Sequence, residues 1–115
     1  MKIVNLTPDP VTLFVNDNKK ITFEPSGTVP RCKEQREQLP DICIKVSENE
    51  VSIPVFKKYY GEVENVPEPQ EGVLYIVSAL VAQAAAGRND LVVPDDVVRD
   101  EEGNIIGCRA LARVR

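Results

Sequence analysis

Short stretches in which apolar and polar residues alternate make up most of the chain, and a period of two predicts β-strands. Turn-forming residues separate these stretches, most clearly at Thr7-Pro8-Asp9-Pro10. The charged segment Lys33–Pro40 predicts a loop or a single helical turn, and Pro54 favours an edge position or a bulge. The segments predicted to form strands in the first half are Lys2–Leu6, Val11–Val15, Ile21–Phe23, Thr28–Cys32, Asp41–Val46 and Val51–Phe56.

The segment from Val73 to Asp90 carries the strongest pattern. Val73–Val77 is a continuous apolar run, which is typical of a strand covered on both faces. Ser78 then stands where a helix N-cap is expected, Ala79–Ala86 has high helix propensity, and Gly87 fits the position that closes such a helix. This is the one helix that the sequence predicts, and its small side chains favour close packing, including against a second copy of the chain.

After this helix the chain returns to β-structure. Leu91–Val93 predicts a short strand ending at Pro94, and Glu101-Glu102-Gly103 predicts the turn of a hairpin between Val97–Asp100 and Asn104–Val114. The expected fold is α+β: a mostly antiparallel β-sheet, or a small barrel-like sheet, with one short helix. At 115 residues the chain has the length of one domain, so residues 1–115 are expected to form a single β-rich domain.

Charge and hydropathy narrow the range of partners. The formal net charge is −4, whereas binding to DNA, RNA or an anionic membrane requires a basic surface. No run of 18 apolar residues is present, which argues against a transmembrane helix. The opening residues Met1–Asn5 lead directly into a strand pattern and lack the apolar segment of a signal peptide, so we expect a cytoplasmic location.

The content of histidine and cysteine limits the chemistry. The chain has no histidine and three widely spaced cysteines, which are Cys32, Cys43 and Cys108. A zinc site and a Ser-His-Asp arrangement are therefore not expected, and we predict neither a metal nor a cofactor. Catalysis is not the favoured interpretation, although an enzyme that uses Glu62, Asp90 or Tyr60 for acid–base chemistry is an alternative.

The cations of the second half are all arginines. After Lys58 the chain has no lysine, and its arginines are Arg88, Arg99, Arg109, Arg113 and Arg115. Arginine presents a planar fork that suits phosphate and carboxylate, so this series could form a local anion site. The alternative is a set of surface salt bridges with the neighbouring acidic residues.

Two short motifs are the best candidates for ligand contacts. Gly87-Arg88-Asn89-Asp90 places an arginine, an amide and a carboxylate directly after the helix, where Arg88 also suits the negative end of the helix dipole. Tyr59 and Tyr60 are adjacent and are expected to face opposite ways, one into the core and one outward. The candidate ligand-binding residues are Arg88, Asn89, Asp90, Arg99, Arg109, Tyr59 and Tyr60.

Several motifs together resemble a group of small uncharacterised proteins of bacteriophages and bacterial genomes. Val4–Val11 resembles the opening of that group, NLTPHPV, although Asp9 stands where the group has histidine. The other segments that carry the resemblance are Tyr60–Val63, Pro67–Pro69, Gly72–Val81, Gly87–Asp90, Val98–Asp100 and Gly107–Arg109.

This resemblance implies a protein of phage or prophage origin that acts by binding. The first expectation is a non-enzymatic anti-defence protein that sequesters a nucleotide or another anionic small-molecule signal in the host cytoplasm, either as a single chain or as an oligomer. The second is a protein–protein module that inhibits a host factor through exposed strand edges and the Lys33–Pro40 segment.

Overall fold

The chain folds into a curled sheet, one short helix and a long two-stranded arm. In the computed structural model, which describes residues 1–85 and 87–114, eight strands and one helix are present within those ranges. Strands dominate, so the expected mostly β fold with one helix is confirmed. In chain order the elements are β1 (Lys2–Asn5), β2 (Val11–Asn16), β3 (Lys19–Phe23), β4 (Arg31–Val46), β5 (Asn49–Glu64), β6 (Val73–Ile76), α1 (Ala79–Ala84), β7 (Leu91–Arg99) and β8 (Ile105–Ala112).

The main sheet is mixed, with both parallel and antiparallel strand pairs. Its six strands lie in the order β1-β6-β7-β8-β2-β3. The pairs β1–β6, β6–β7 and β2–β8 are parallel, whereas β7–β8 and β2–β3 are antiparallel. The sheet curls into a half-barrel, which agrees with the expected barrel-like form, and the expected antiparallel pairing is present in β7–β8 and β2–β3. Strands β6 and β7 differ because the crossover through α1 makes β7 run in the same direction as β6, as a strand–helix–strand unit requires.

The buried side chain of Asn5 joins the two ends of this sheet. Asn5 is 2% exposed, and its Nδ2 donates hydrogen bonds to the carbonyl oxygens of Asp9 and Phe23, each at 2.8 Å. Its Oδ1 accepts bonds from the backbone N–H and the hydroxyl of Thr7, at 2.9 and 2.7 Å. The Asn5 carbonyl also accepts a bond from the Ser26 N–H. Because β1 and β3 are the outermost strands, these bonds hold the sheet in its curled form.

The core lies between β6, α1 and the start of β7. Ile76 and Val77 are completely buried, and Tyr75, Val81 and Leu91 are nearly so. The predicted N-cap is confirmed, since the Ser78 hydroxyl accepts a bond from the Val81 N–H. Val81 and Ala82 are also buried, so this face of the helix packs on the chain's own core.

Two boundaries around the helix differ from those expected. The helix ends at Ala84, and Ala86, the last residue of the predicted helix, lies outside the described residues. Strand β7 does not stop at Pro94 but continues to Arg99. It pairs with β6 through Leu91 and Val92, so beyond these two residues one edge of β7 has no partner strand among residues 1–85 and 87–114, and a strand tolerates proline at such an edge. The predicted turn at Glu101-Glu102-Gly103 is confirmed.

Strands β4 and β5 form a separate two-stranded antiparallel sheet, here called the ribbon. Each strand has 16 residues, and nearly all of them are exposed. The prediction of a loop at Lys33–Pro40 was wrong, because residues 34–39 of this segment pair with residues 60–55 of β5. Its charged side chains misled the prediction, since a strand that is solvated on both faces shows no alternation. Only the base of the ribbon meets the core, through Cys32 and Val63.

Within the described part of the chain, the structure has no helix with the length and apolar character that crossing a membrane requires.

The Asn5 hydrogen bonds are expected to dominate the stability of the sheet. Asn5→Ala should lower the free energy of unfolding by about 2–4 kcal/mol, because each buried polar group left without a partner costs about 1–3 kcal/mol. Asn16→Ala serves as the control, since Asn16 accepts one bond at an exposed turn. Denaturant unfolding at a fixed protein concentration measures both, and equal losses in the two variants would contradict this role for Asn5.

Gly107 is expected to tolerate no side chain. A Cβ at this position would lie 2.5 Å from the Phe14 ring and 2.7 Å from the Thr12 carbonyl oxygen. Gly107→Ala should therefore destabilise the fold by about 1–3 kcal/mol through overpacking. Gly61→Ala is the matched control, because nothing lies within 4 Å of a Cβ at that strand position. A Gly107→Ala variant as stable as Gly61→Ala would show that β8 does not pack on β2 in this way.

Candidate functional site

The segment Gly87–Asp90 links the end of α1 to the buried start of β7. Gly87 has a φ of +90°, a left-handed conformation that glycine adopts without strain and that turns the chain away from the helix. Leu91 is buried in the core, which fixes the far end of the segment. Arg88, Asn89 and Asp90 are thus held between two anchored elements.

Arg88 and Asp90 form a bidentate ion pair. The Arg88 Nε and Nη2 atoms each lie 2.7 Å from an oxygen of the Asp90 carboxylate. Nη2 also donates to the Pro67 carbonyl oxygen at 2.9 Å, which ties the loop before β6 to this segment. Hydrogen bonds from Arg88 lower the pKa of the Asp90 carboxyl below its ordinary value, and the same bonds raise the pKa of Arg88. Both side chains are largely buried, so the pair stabilises the fold locally.

The ion pair leaves Arg88 and Asp90 with different capacities to contact a ligand. Both oxygens of the Asp90 carboxylate accept bonds from Arg88, which supports a structural role for Asp90. Arg88 keeps donor capacity, because its Nη1 atom donates no hydrogen bond within residues 1–85 and 87–114. Arg88 and Asp90 therefore fix the segment that follows the helix, and Arg88 still presents part of its guanidinium.

A cavity of about 240 Å³ opens beside this segment, and we call it the helix-exit cavity. Arg113, from the end of β8, approaches it from the opposite side and donates from Nε to the Asn89 carbonyl oxygen at 3.0 Å. Within the described residues, the two Nη atoms of Arg113 have no hydrogen-bond partner. The side chains that form its walls include Ala82, Ala85, Leu91, Arg88, Asn89 and Arg113.

Arg113 is the site residue that the sequence-based candidate set omitted. It belongs to the arginine series of the second half, and that series was the one signal that could have found it. Its position 24 residues after Asn89 gave no local indication of the contact. Arg115, the last arginine of the series, lies outside the described residues.

The other predicted arginines do not line the helix-exit cavity. Arg99 donates from Nη1 to the Gly103 carbonyl oxygen at 2.8 Å and so stabilises its own hairpin turn. Arg109 is exposed on β8, next to the buried Cys108. These two residues are therefore separate from the group formed by Arg88, Asn89 and Arg113.

The two adjacent tyrosines lie on the ribbon. Tyr59 and Tyr60 are 44% and 47% exposed, so the prediction that one enters the core was wrong. Adjacent strand residues do face opposite ways, but at this point the ribbon is solvated on both faces. Tyr60 borders a shallow depression with Leu80 and Gln83 of the helix.

The groups considered for acid–base chemistry are also dispersed. Asp90 is engaged by Arg88 at the helix exit, whereas Glu62 and Tyr60 lie on the ribbon. The Glu62 carboxylate is exposed and lies 3.9 Å from the Lys33 Nζ atom. These three groups therefore do not share one site.

No family model, curated protein or solved structure matches the chain. The case for a function therefore depends on the geometry of the helix-exit cavity and of the ribbon.

The Arg88–Asp90 pair is expected to make stability depend on pH. Because the folded-state pKa of Asp90 is lowered, its contribution is present above the unfolded pKa of about 4 and is lost as the pH falls through the folded value. Asp90→Asn should cost about 1.5–3 kcal/mol at pH 7 and progressively less below about pH 4.

Asp96→Asn is the control, because Asp96 is exposed and its φ of +52° suits asparagine. Thermal unfolding of the three proteins between pH 3 and pH 7 provides the measurement. A stability difference between wild type and Asp90→Asn that does not change over this range would refute the ion pair as its source.

Proposed function

We propose that this chain is a non-enzymatic binding protein that holds the anionic group of a small molecule in the helix-exit cavity. The observation that carries the proposal is the convergence of Arg88, Arg113 and Asn89 on one cavity, with guanidinium donors uncommitted within residues 1–85 and 87–114. Such donors form charge-assisted hydrogen bonds to phosphate or carboxylate oxygens, about twice as strong as neutral ones.

The local charge balance supports an anion at this place. Asp90 neutralises Arg88, so the charge of Arg113 is the one that a ligand would compensate. The overall charge of −4 disfavours non-specific anion binding, which means that any affinity must come from this local arrangement.

The size and lining of the cavity suggest how a ligand would be held. A volume of about 240 Å³ lies below the roughly 300–1,000 Å³ of pockets that enclose drug-sized ligands. It accommodates a phosphate or carboxylate group and a few further atoms, with the aliphatic side chains of Ala82, Ala85 and Leu91 as the apolar wall. A nucleotide would place its phosphate in the cavity and the rest of the molecule outside it.

The biological setting is part of the proposal. The motifs around Asn5-Leu6-Thr7-Pro8 and Gly87–Asp90 resemble those of phage and prophage proteins, and sequestration of an anionic signal in the host cytoplasm suits a binding protein without catalytic groups.

A second candidate function is inhibition of a host protein. The observation in its favour is the ribbon, because in the described structure β4 and β5 pair with each other and leave both outer edges unpaired. An unpaired edge can add a strand from another chain.

Calorimetry tests the anion site directly. The panel consists of inorganic phosphate, linear nucleoside mono-, di- and triphosphates, and cyclic nucleotides. We expect at least one nucleotide to bind, and Arg113→Gln to raise its Kd by about tenfold or more, because the variant loses a charge-assisted bond of about 1.4 kcal/mol or greater.

Lys20→Gln is the matched control, since it removes the same charge from an exposed position of β3 and should leave Kd unchanged. Absence of heat with every member of the panel, or equal affinity in the Arg113→Gln variant and wild type, would exclude the proposed site.

A further inference from the structure

The two faces of the ribbon differ sharply in chemistry. Leu39 stands opposite Val55, Ile42 opposite Ile53, and Ile44 opposite Val51, so these cross-strand pairs lie on one face. With Val46 they form what we call the aliphatic face. On the other face, Cys43 stands opposite Ser52 and Lys45 opposite Glu50. The residues of the aliphatic face are Leu39, Ile42, Ile44, Val46, Val51, Ile53 and Val55.

A bulge keeps the aliphatic face continuous. Leu39 and Ile42 are three positions apart and would ordinarily face opposite ways. The register shifts between them, where Pro40 and Asp41 stand against the single residue Pro54. This extra residue in β4 returns Ile42 to the side of Leu39. The strand pattern thus places the aliphatic residues together over most of the outer half of the ribbon.

This face is uncovered in a single chain. The exposed fractions of Leu39, Ile42, Ile44, Val46, Val51 and Ile53 range from 37% to 53%. A two-stranded hairpin is marginally stable by itself in water, and contiguous apolar patches of this kind mark interaction surfaces. The outer half of the ribbon therefore requires a partner to cover it, because the core of its own chain does not reach it.

We propose that the partner is a second copy of this chain, with the two aliphatic faces packed against each other. A face-to-face pair of identical ribbons is isologous, since each copy offers the apolar surface that the other requires. The inference is independent of the anion site and concerns a different surface of the molecule.

The charges of the ribbon favour a copy of itself as the occupant. The whole chain carries −4, so two copies repel through most of their surface. The ribbon, by contrast, contains six basic and six acidic side chains within Arg31–Val46 and Asn49–Glu64. It has no net charge, and the Glu37–Lys57 pair borders the aliphatic residues with one charge of each sign. The ribbon is thus the long surface along which two copies approach without net repulsion.

The available area suits such a pair. Sixteen residues at about 3.3 Å each give a ribbon of about 53 Å, which agrees with the 61 Å length of the molecule. With a width of about 10 Å, one whole face of the ribbon offers roughly 500 Å², about half of it aliphatic, and two ribbons aligned over their full length together bury about 1,000 Å². This reaches the lower limit for a specific interface, with an apolar outer half and a polar inner half that includes the rows of Lys57 and Tyr59.

Light scattering coupled to size-exclusion chromatography tests the proposal on the full chain. At about 100 µM, wild type should show a mass that is twice the 12.8 kDa of one chain. Ile53→Glu, which places a charge in the aliphatic face, should shift the mass to that of the monomer. Gln38→Glu is the matched control, because it introduces the same side chain on the opposite face of the ribbon, where Gln38 stands against Phe56, and should leave the assembly intact.

Hydrogen exchange keeps the test decisive if Ile53→Glu fails to fold. In wild type, the amides of the ribbon should be protected at high concentration and lose protection on dilution, whereas those of β6 should not change. A monomeric wild type at about 100 µM would overturn the proposal and leave the face to a partner of another kind. An assembly that survives Ile53→Glu, or one whose concentration-dependent protection lies outside the ribbon, would overturn it as well.

Discussion

The curled sheet depends on the side-chain amide of Asn5, which is buried between its first and last strands. Every polar atom of that amide is used: two carbonyl oxygens, one backbone N–H and one hydroxyl satisfy it. A buried amide is costly unless it is fully bonded, so this network specifies a single arrangement of β1, the turn at Thr7 and the end of β3. The motif around Asn5-Leu6-Thr7-Pro8 therefore has a structural explanation that requires no ligand.

The core of the curled sheet contains few residues, and much of the remaining chain forms two exposed surfaces, which are the helix exit and the ribbon. The helix contributes Val81 and Ala82 to the core, and its exit is fixed by the Arg88–Asp90 pair and the bond from Arg88 to Pro67. That leaves Asn89 and Arg113 at the edge of a small cavity. The ribbon contributes its base to the core and extends its aliphatic face outward. One surface is polar, cationic and concave, and the other is apolar and flat.

Sequence reasoning succeeded where local pattern and burial agree. The buried strand at Val73–Val77, the Ser78 cap and the turn at Gly103 all follow from residues that act on their immediate neighbours. It failed where the structure of a segment is determined by residues far away in the sequence. The Lys33–Pro40 segment is a strand because β5 pairs with it, and Pro94 is tolerated because one edge of β7 is unpaired there.

The candidate site was likewise predicted only where its residues are neighbours in the sequence. Arg88 and Asn89 were identified because they follow the helix directly, whereas Arg113 reaches the cavity through the pairing of β8 with β7. Tyr59 and Tyr60 were placed by alternation, which assigns opposite faces but does not say that both faces are solvated. Bulges in the ribbon also determine which side chains share a face, and a single sequence does not reveal their positions.

We propose that ligand binding at the helix exit and self-association at the ribbon use separate surfaces of the molecule. The direct test is an amide chemical-shift map of the ¹⁵N-labelled protein, recorded once during titration with a nucleotide and once during dilution. We expect the nucleotide to shift the amides of Gly87, Asn89 and Leu91, and dilution to shift those of the ribbon. Nucleotide-induced shifts confined to the ribbon, or dilution shifts centred on the helix exit, would contradict it.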